Sequence, residues 1–392
     1  MKTWFGAAFT RAPQQKSGNT NTPLIALQLR GRCQWTPRTY STLAREGFQK
    51  NAIANRCIRM ISEAAASVEL CAERSGICHD DDPARKLLQT PSLKMSRAEI
   101  FEAHYGYLQL SGNAFLQIAL VDGTPSALFA LRPDRLRAIV GSDGWPRIWE
   151  YDAGSKKHKF SIEPSSGQSL IHHMRLFHPC DDIYGLSPLE SAAQAVDIHN
   201  AGGLWCKSLL DNSARPSGAI VYTGKNSADR LTDEQFEQLR SEMDYHHSGP
   251  AAAGRPLILE GGLDWKPMSM SPADMDFINA RREAAREIAL AFGVPPMLLG
   301  IPGDNTYANY KEANLAFWRQ TILPLVRKTA DSLGVWLRPW FGDDLRVHAK
   351  LDDIPALAFD RSQLWANLKD ASFMTDDEKR ALAGLPNGGD PS

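Results

Sequence analysis

What this 392-residue sequence lacks narrows its chemistry first. It has no charge excess, with 44 Lys+Arg against 45 Asp+Glu, whereas gripping nucleic acid without regard to base sequence needs a marked basic surplus on the folded surface. It has no C-x-x-C pair. Cys33, Cys57, Cys71, Cys78, Cys180 and Cys206 are scattered, which predicts reduced thiols of a cytosolic product rather than disulfides or a metal cluster. It has no long apolar run. The longest uncharged stretch, 288–303, holds three prolines and three glycines and cannot be one membrane-spanning helix. Only about six apolar residues precede Arg11, short of the core of an export signal. No membrane association is expected. What is present is 43% hydrophobic and 23% charged residues, the make-up of a folded protein of about two or three domains.

The balanced charge hides a polarity along the chain. The first 60 residues carry ten Lys/Arg and one acid, Glu46, whereas residues 342–392 carry ten acids and six bases. Residues 1–44 mix the basic side chains with Pro, Gly, Asn and Thr and show no period, the pattern of an arm that orders against a partner. Over 51–67, Ile53, Cys57, Ile58, Ile61, Ala64 and Ala65 recur at helical spacing. Ser96 and Glu99 form a capping box for a helix reaching Ser111. Short runs at 114–121, 127–131, 136–140, 146–151 and 169–177, separated by turn residues, read as strands, so this half is α+β.

A long helix is announced at Ser187, its N-cap, with Pro188 at the first helical position and Glu190 closing the box. It is expected to run to Asn212, with Gly202-Gly203 in its middle either admitting a close neighbour or bending it. A strand at 217–222, a helix capped by Thr232 with Gln235, and strands at 255–260 and 264–267 make a small β-α-β insertion over 213–270. A second long helix, boxed by Ser271, Pro272 and Asp274, carries the apolar stripe Ile278, Ala285, Ile288, Ala289 and Phe292, with Arg281, Arg282, Glu283, Arg286 and Glu287 on other faces. Gly293-Val294-Pro295-Pro296 ends it. A loop rich in Gly, Pro and Asn runs to Asn309. A third long helix is expected over 310–337, kinked near Gln320 because Pro324 removes a donor and clashes one turn back. A strand at 345–351, a helix around 361–372 and a last helix capped by Thr375 with Glu378 complete the reading.

Three stretches invite a catalytic or ligand-binding reading. Gly185-Leu186-Ser187-Pro188-Leu189 resembles a nucleophile elbow, yet Pro188 lacks the N–H that would hold an oxyanion, so Ser187 reads as a cap. Gly218 to Lys225 has a spacing and a following Asn226 that do not fit a phosphate-binding loop. His172, His173, His178 and Cys180, with Asp181 and Asp182, are the best metal candidate, but His172 and His173 should face opposite sides of a strand. A hydrolase or metalloenzyme using Ser187 or this cluster is therefore the alternative reading. No cofactor is expected.

The order of several motifs resembles the HK97-type portal proteins of tailed phages over about residues 45–385. The most specific stretch is Ala289-x-x-Phe292-Gly293-Val294-Pro295-Pro296-x-Leu298-Leu299-Gly300, followed by Asn305-Thr306-Tyr307-Ala308-Asn309, Phe317-Trp318 and Ile322-Leu323-Pro324-Leu325. Gly112-Asn113-Ala114-Phe115, Tyr184 through Leu189, Pro216-Ser217-Gly218 and Met374-Thr375-Asp376-Asp377-Glu378 support it. The resemblance implies a non-enzymatic, α+β subunit of a ring, usually of twelve copies, at one capsid vertex. Double-stranded DNA passes through such a ring. The partners implied are the terminase large subunit, the head–tail adaptor and the major capsid protein. A phage-like gene transfer particle would use the same protein.

Carried onto this chain, the resemblance implies a wing at 45–186, stem helices at 187–212 and 271–292, and a clip at 213–270. A channel-facing tunnel loop falls at 293–309, a kinked helix and wing strand at 310–358, and a short crown at 359–392. Asp304, Asn305, Thr306, Tyr307, Asn309 and Lys311 are the expected tunnel residues. Arg281, Arg282, Arg286, Glu283 and Glu287 are the stem charges, with DNA contact and pairing within or between subunits equally open. A ring repeats each channel charge in every copy, so mixed signs suit a duplex that must slide.

Overall fold

The computed structural model of the protein describes residues 35–75, 77–211, 218–222, 232, 234–239, 241, 263–267, 276–301, 307–351 and 354–383. The chain divides into Met1–Trp35 and Thr36–Ser392, and every element below belongs to the second unit. The strand expected at 255–260, the boxing residues Ser271, Pro272 and Asp274, and residues Asp304, Asn305 and Thr306 lie outside the described residues.

Helical structure begins inside the expected arm, with α1 (Tyr40–Leu43) continuing into a π-helical turn, Ala44–Gln49. Asn51 then caps α2 (Ala52–Ser67), its side chain accepting from the backbone N–H groups of Ile53 and Ala54. The periodic residues Cys57, Ile58, Ile61 and Ala65 form its buried face. Next come β1 (Glu69–Glu73), α3 (Pro83–Gln89) and α4 (Arg97–Ser111). The capping box of Ser96 and Glu99 is present, and Gly112 in the left-handed region ends α4.

Two three-stranded antiparallel sheets follow. One has the order β3-β2-β7, built from β2 (Asn113–Val121), β3 (Thr124–Leu131) and β7 (Ile171–Arg175). The other is β4-β5-β6, from β4 (Leu136–Val140), β5 (Pro146–Asp152) and β6 (Lys157–Ser161). β1 and β6 were not expected from the sequence. β2 is central, so Ala114, Phe115 and Leu116 are buried on both of its faces. One side joins the main core with α2 and α4. On the other, Phe115 meets Trp149 of β5 edge to face.

The first long helix is broken near its start into α5 (Pro188–Ser191) and α6 (Ala193–Asp211), with a turn at Ala192. β8 (Gly218–Tyr222) pairs antiparallel with β9 (Leu263–Pro267), and Thr232 and Gln235 exchange the expected capping bonds at the start of a helical stretch over 234–239. The stretch that superficially resembled a phosphate loop thus begins with a strand. Then come α7 (Phe277–Ala291), a 3-10 turn (Pro296–Leu299), and α8 (Tyr307–Phe317). A π-helical turn (Trp318–Ile322) leads into α9 (Leu323–Phe341).

The predicted irregularity near Gln320 is this π-turn. Pro324 has no N–H and its ring crowds the carbonyl of residue 320, and widening the turn relieves both. The helix also extends past the expected end through Pro339. β10 (Arg346–Lys350), α10 (Ala358–Asp370) and α11 (Asp376–Leu382) finish the fold, with Thr375 and Glu378 forming the expected cap of α11. β10 returns to pair with β1, Cys71 opposite His348.

The expectation of reduced thiols fails at one pair: Cys71 and Cys78 are joined in a disulfide. An antiparallel bridge between Arg74 and Ile77 turns the chain back and brings the two together, a return that no C-x-x-C spacing signals. Among the described residues, Cys57, Cys180 and Cys206 are free.

Candidate functional site, the paired helices and the turn after them

α6 and α7 lie side by side, flanking the β8–β9 insertion in the chain. The contact is built on Gly202 and Gly203, over which Arg281 of α7 lies, and the Arg281 Nε donates to His199 Nε2 at 3.3 Å. The helix is unbroken there, so the glycine pair serves packing, not bending. Burial and the Arg281 charge push the His199 pKa below its ordinary value and keep the ring an acceptor. Its Nδ1 lies 3.2 Å from Asn51 Nδ2, which also donates to Asn200 Oδ1, and Asn200 donates to the Glu46 carbonyl. Asp197 accepts the Thr36 backbone N–H at 2.8 Å. His199, Asn51 and Asp197 were not singled out from sequence. Their partners stand 82 to 161 residues away in the chain, beyond any local pattern.

Of the stem charges, Arg281 is thus bonded within the subunit to α6, and Arg286 pairs with Glu283 at 2.5 Å. Arg282 and Glu287 are exposed. The expected stripe of α7 holds at Ala285, Ile288, Ala289 and Phe292, all buried, but fails at Ile278, which is 66% exposed. The helix runs beyond the core at that end. Leu204 on α6 and Leu290 on α7 are likewise exposed, so both helices present apolar side chains outward.

The most specific motif makes a firm joint. Gly293, with φ at +65°, turns the chain off α7, Phe292 and Val294 are buried on either side, and the Val294 N–H donates to the Ala289 carbonyl at 2.9 Å. Thr321, in the π-turn, donates its hydroxyl to the Gly293 carbonyl at 2.6 Å. The expected loop 293–309 is therefore anchored as far as the buried Ile301. At its other end, helix begins at Tyr307 and not at 310, so Tyr307, Asn309 and Lys311 sit in the first turns of α8, with Asn309 and Lys311 exposed.

Two supporting motifs, 72 residues apart, form a second joint. Asn113 Oδ1 accepts the Gly185 N–H at 2.8 Å, and Ser187 donates its hydroxyl to the Gln109 carbonyl at 2.8 Å. The same hydroxyl accepts the Glu190 N–H, so Ser187, 1% exposed, is a cap locked to α4. The histidine cluster does not assemble. His172 turns to Ser332 of α9 at 2.7 Å, His173 to Asn113 and the face of Phe115, and His178 accepts the Cys180 N–H in a turn. Among the described residues these four do not form a metal-binding group. The hydrolase and metalloenzyme readings lose their geometry. Among the same residues, no helix is long and apolar enough to cross a membrane.

The phage portal protein family matches residues 52–384. The chain belongs to this family. It is a mixed helix-and-strand portal protein of the kind expected from the motifs. A chain in the neck of the native gene transfer agent particle, computed with C12 symmetry, is 48% identical to it. That match covers 91% of this chain and 96% of the other, with a TM-score of 0.68. The corresponding chain of the empty-particle neck, computed with C6 symmetry, gives 0.71 at the same identity and coverage. The portal protein of Enterobacteria phage HK97 is 26% identical over 400 residues, 98% of this chain and 88% of its own.

Proposed function

We propose that this portal protein forms a twelve-subunit ring at one vertex of a tailed-phage or gene transfer particle. Double-stranded DNA passes through the ring during packaging and ejection. The role is that of a conduit and not of an enzyme, and the protein occupies the neck of the particle after assembly in the host cytoplasm. The observation that carries this reading is the pair α6 and α7, locked at Gly203 and Arg281 and flanking a small insertion, in a chain 48% identical to one from a gene transfer agent neck.

In this reading α6 and α7 are the stem and 213–270 is the clip, which docks the terminase large subunit and then the head–tail adaptor. Residues 45–186 form the wing toward the major capsid protein, and 359–392 form the crown. Asp304, Asn305, Thr306, Tyr307, Asn309 and Lys311, which follow the anchored Ile301 in the chain, are the tunnel residues that approach DNA in the channel. Arg282 and Glu287, exposed and of opposite sign, face either the bore or the next subunit, and the apolar Leu204 and Leu290 pack between subunits. Heterologous contacts of this kind close only if the rotation per subunit divides a full turn.

Native mass tests the proposal. A closed ring of twelve would weigh on the order of 0.5 MDa, against 43.4 kDa for one chain. Purification from particles as a monomer would refute the ring.

A further inference from the structure

At the edge of the β1–β10 pair three metal-binding atoms converge that the conduit role does not use. The register sets Cys71 opposite His348, strand alternation puts Glu73 on the same face as Cys71, and the Arg74–Ile77 bridge brings Cys78 back over them. A ligand atom from each of Cys71, Cys78 and His348 lies within 4.8 Å of the other two. Cys78 Sγ is 3.7 Å from His348 Nε2, and His348 Nδ1 is 3.1 Å from a Glu73 carboxylate oxygen.

We propose that, with the Cys71–Cys78 bridge reduced, this corner binds Zn2+ through Cys71, Cys78 and His348, with Glu73 orienting the imidazole. Two thiolates and an imidazole are donors that favour zinc over the hard cations magnesium and calcium. Tetrahedral zinc places a thiolate sulfur and an imidazole nitrogen about 3.6 Å apart and two sulfurs about 3.8 Å apart. The Cys78–His348 separation of 3.7 Å already meets the first condition, and reduction of the bridge frees the two sulfurs to part to the second. Glu73 supplies what a ligating histidine needs at its other nitrogen, a carboxylate that takes the N–H and leaves Nε2 as the ligand. Cys78 is half-buried and the His348 side chain 44% exposed, so water reaches the fourth position.

The two chemistries of the cysteine pair hold different things together. The disulfide joins two residues seven apart in the chain, within one hairpin. Zinc adds His348, and so ties that hairpin to a strand some 270 residues further on. A phosphine reduces the bridge, consuming one water and yielding two thiols and the phosphine oxide. Binding of the cation then expels the two thiol protons.

Cobalt(II) titration of the full-length, phosphine-reduced protein tests the site, because tetrahedral thiolate-bound cobalt has an ultraviolet charge-transfer band and intense visible absorption. One cobalt per chain is expected with both features, displaced by zinc. Cys78→Ser and His348→Gln, at accessible positions, should abolish the spectrum while leaving far-ultraviolet circular dichroism unchanged. Glu73→Gln should weaken cobalt binding about 10- to 100-fold. Absence of the bands in the reduced wild type, or their persistence in Cys78→Ser, would overturn the site without touching the conduit reading.

Discussion

His104 is fully buried on α4, and neither ring nitrogen has a protein partner. Burial, with His172 stacked beside it, drags its pKa from the ordinary 6.5 to about 3, and burial lowers His172 to about 4. Above about pH 6.5 neither the folded nor the unfolded chain protonates these rings, and their contribution to stability is complete. Between that pH and about 3 the unfolded chain takes up protons that the folded one refuses, so stability falls as the pH falls. Thermal unfolding followed from neutral to mildly acidic pH should show a falling midpoint, with a shallower fall in His104→Leu. An unchanged slope would mean that this ring is not held neutral.

Gly185 is a second residue-scale test. A β-carbon there would meet the Gly112 carbonyl oxygen at 2.2 Å, and both sides of the clash are backbone. Gly185→Ala should cost about 3 kcal/mol or more in urea unfolding, since strain of this kind relaxes only by moving a main chain. The opposite faces of His172 and His173 were legible in the sequence because strand alternation is local. The contact of Gly185 with Gly112 was not, because each motif was visible but nothing in the spacing says that the two touch.

At the scale of elements, starts were more legible than stops. Ser96, Ser187, Thr232 and Thr375 all cap helices in the structure as the sequence predicts, because a side chain bonding backbone three residues ahead is written in adjacent letters. The start of α8 at Tyr307 was missed because the polar Asn305-Thr306-Tyr307-Ala308-Asn309 run has loop composition throughout. β1 was missed because its value as a strand lies in β10, far along the chain.

The glycine pair of α6 offers a measurement. Added β-carbons at Gly202 and Gly203 would come no nearer than 3.9 Å to Arg281, ordinary contact. Alanine should therefore fit at either position and stabilise the protein by about 1 kcal/mol through helix propensity alone. A loss of stability would show that the two helices approach more closely in solution.

For the whole molecule, the ring repeats each channel residue once per subunit, so small changes are multiplied. Replacing Asp304, Asn305 and Thr306 by glycine should leave the native mass of the ring unchanged and reduce the DNA packaged or retained in particles. Normal DNA content in rings carrying the change would remove these residues from the channel. The family was legible as a whole because its motifs mark joints: the stop after α7, the seat of Ser187 on α4, and the π-turn before Pro324. The stem charges were less so. That Arg281 is occupied by His199 depends on which faces of two helices meet, which a single chain of letters does not specify.

The pairing of β1 with β10 has a consequence for how a subunit is made on the ribosome. Glu69 finds its partner only when Lys350 has been synthesised, and both sheets and both paired helices lie between the two strands in the chain. A nascent chain cannot complete its core early, and a truncated product lacks the strand that closes it. A chain cut short before Arg346 should therefore fail to enter rings when co-expressed with the intact protein, and its recovery in them would show that the core closes without β10.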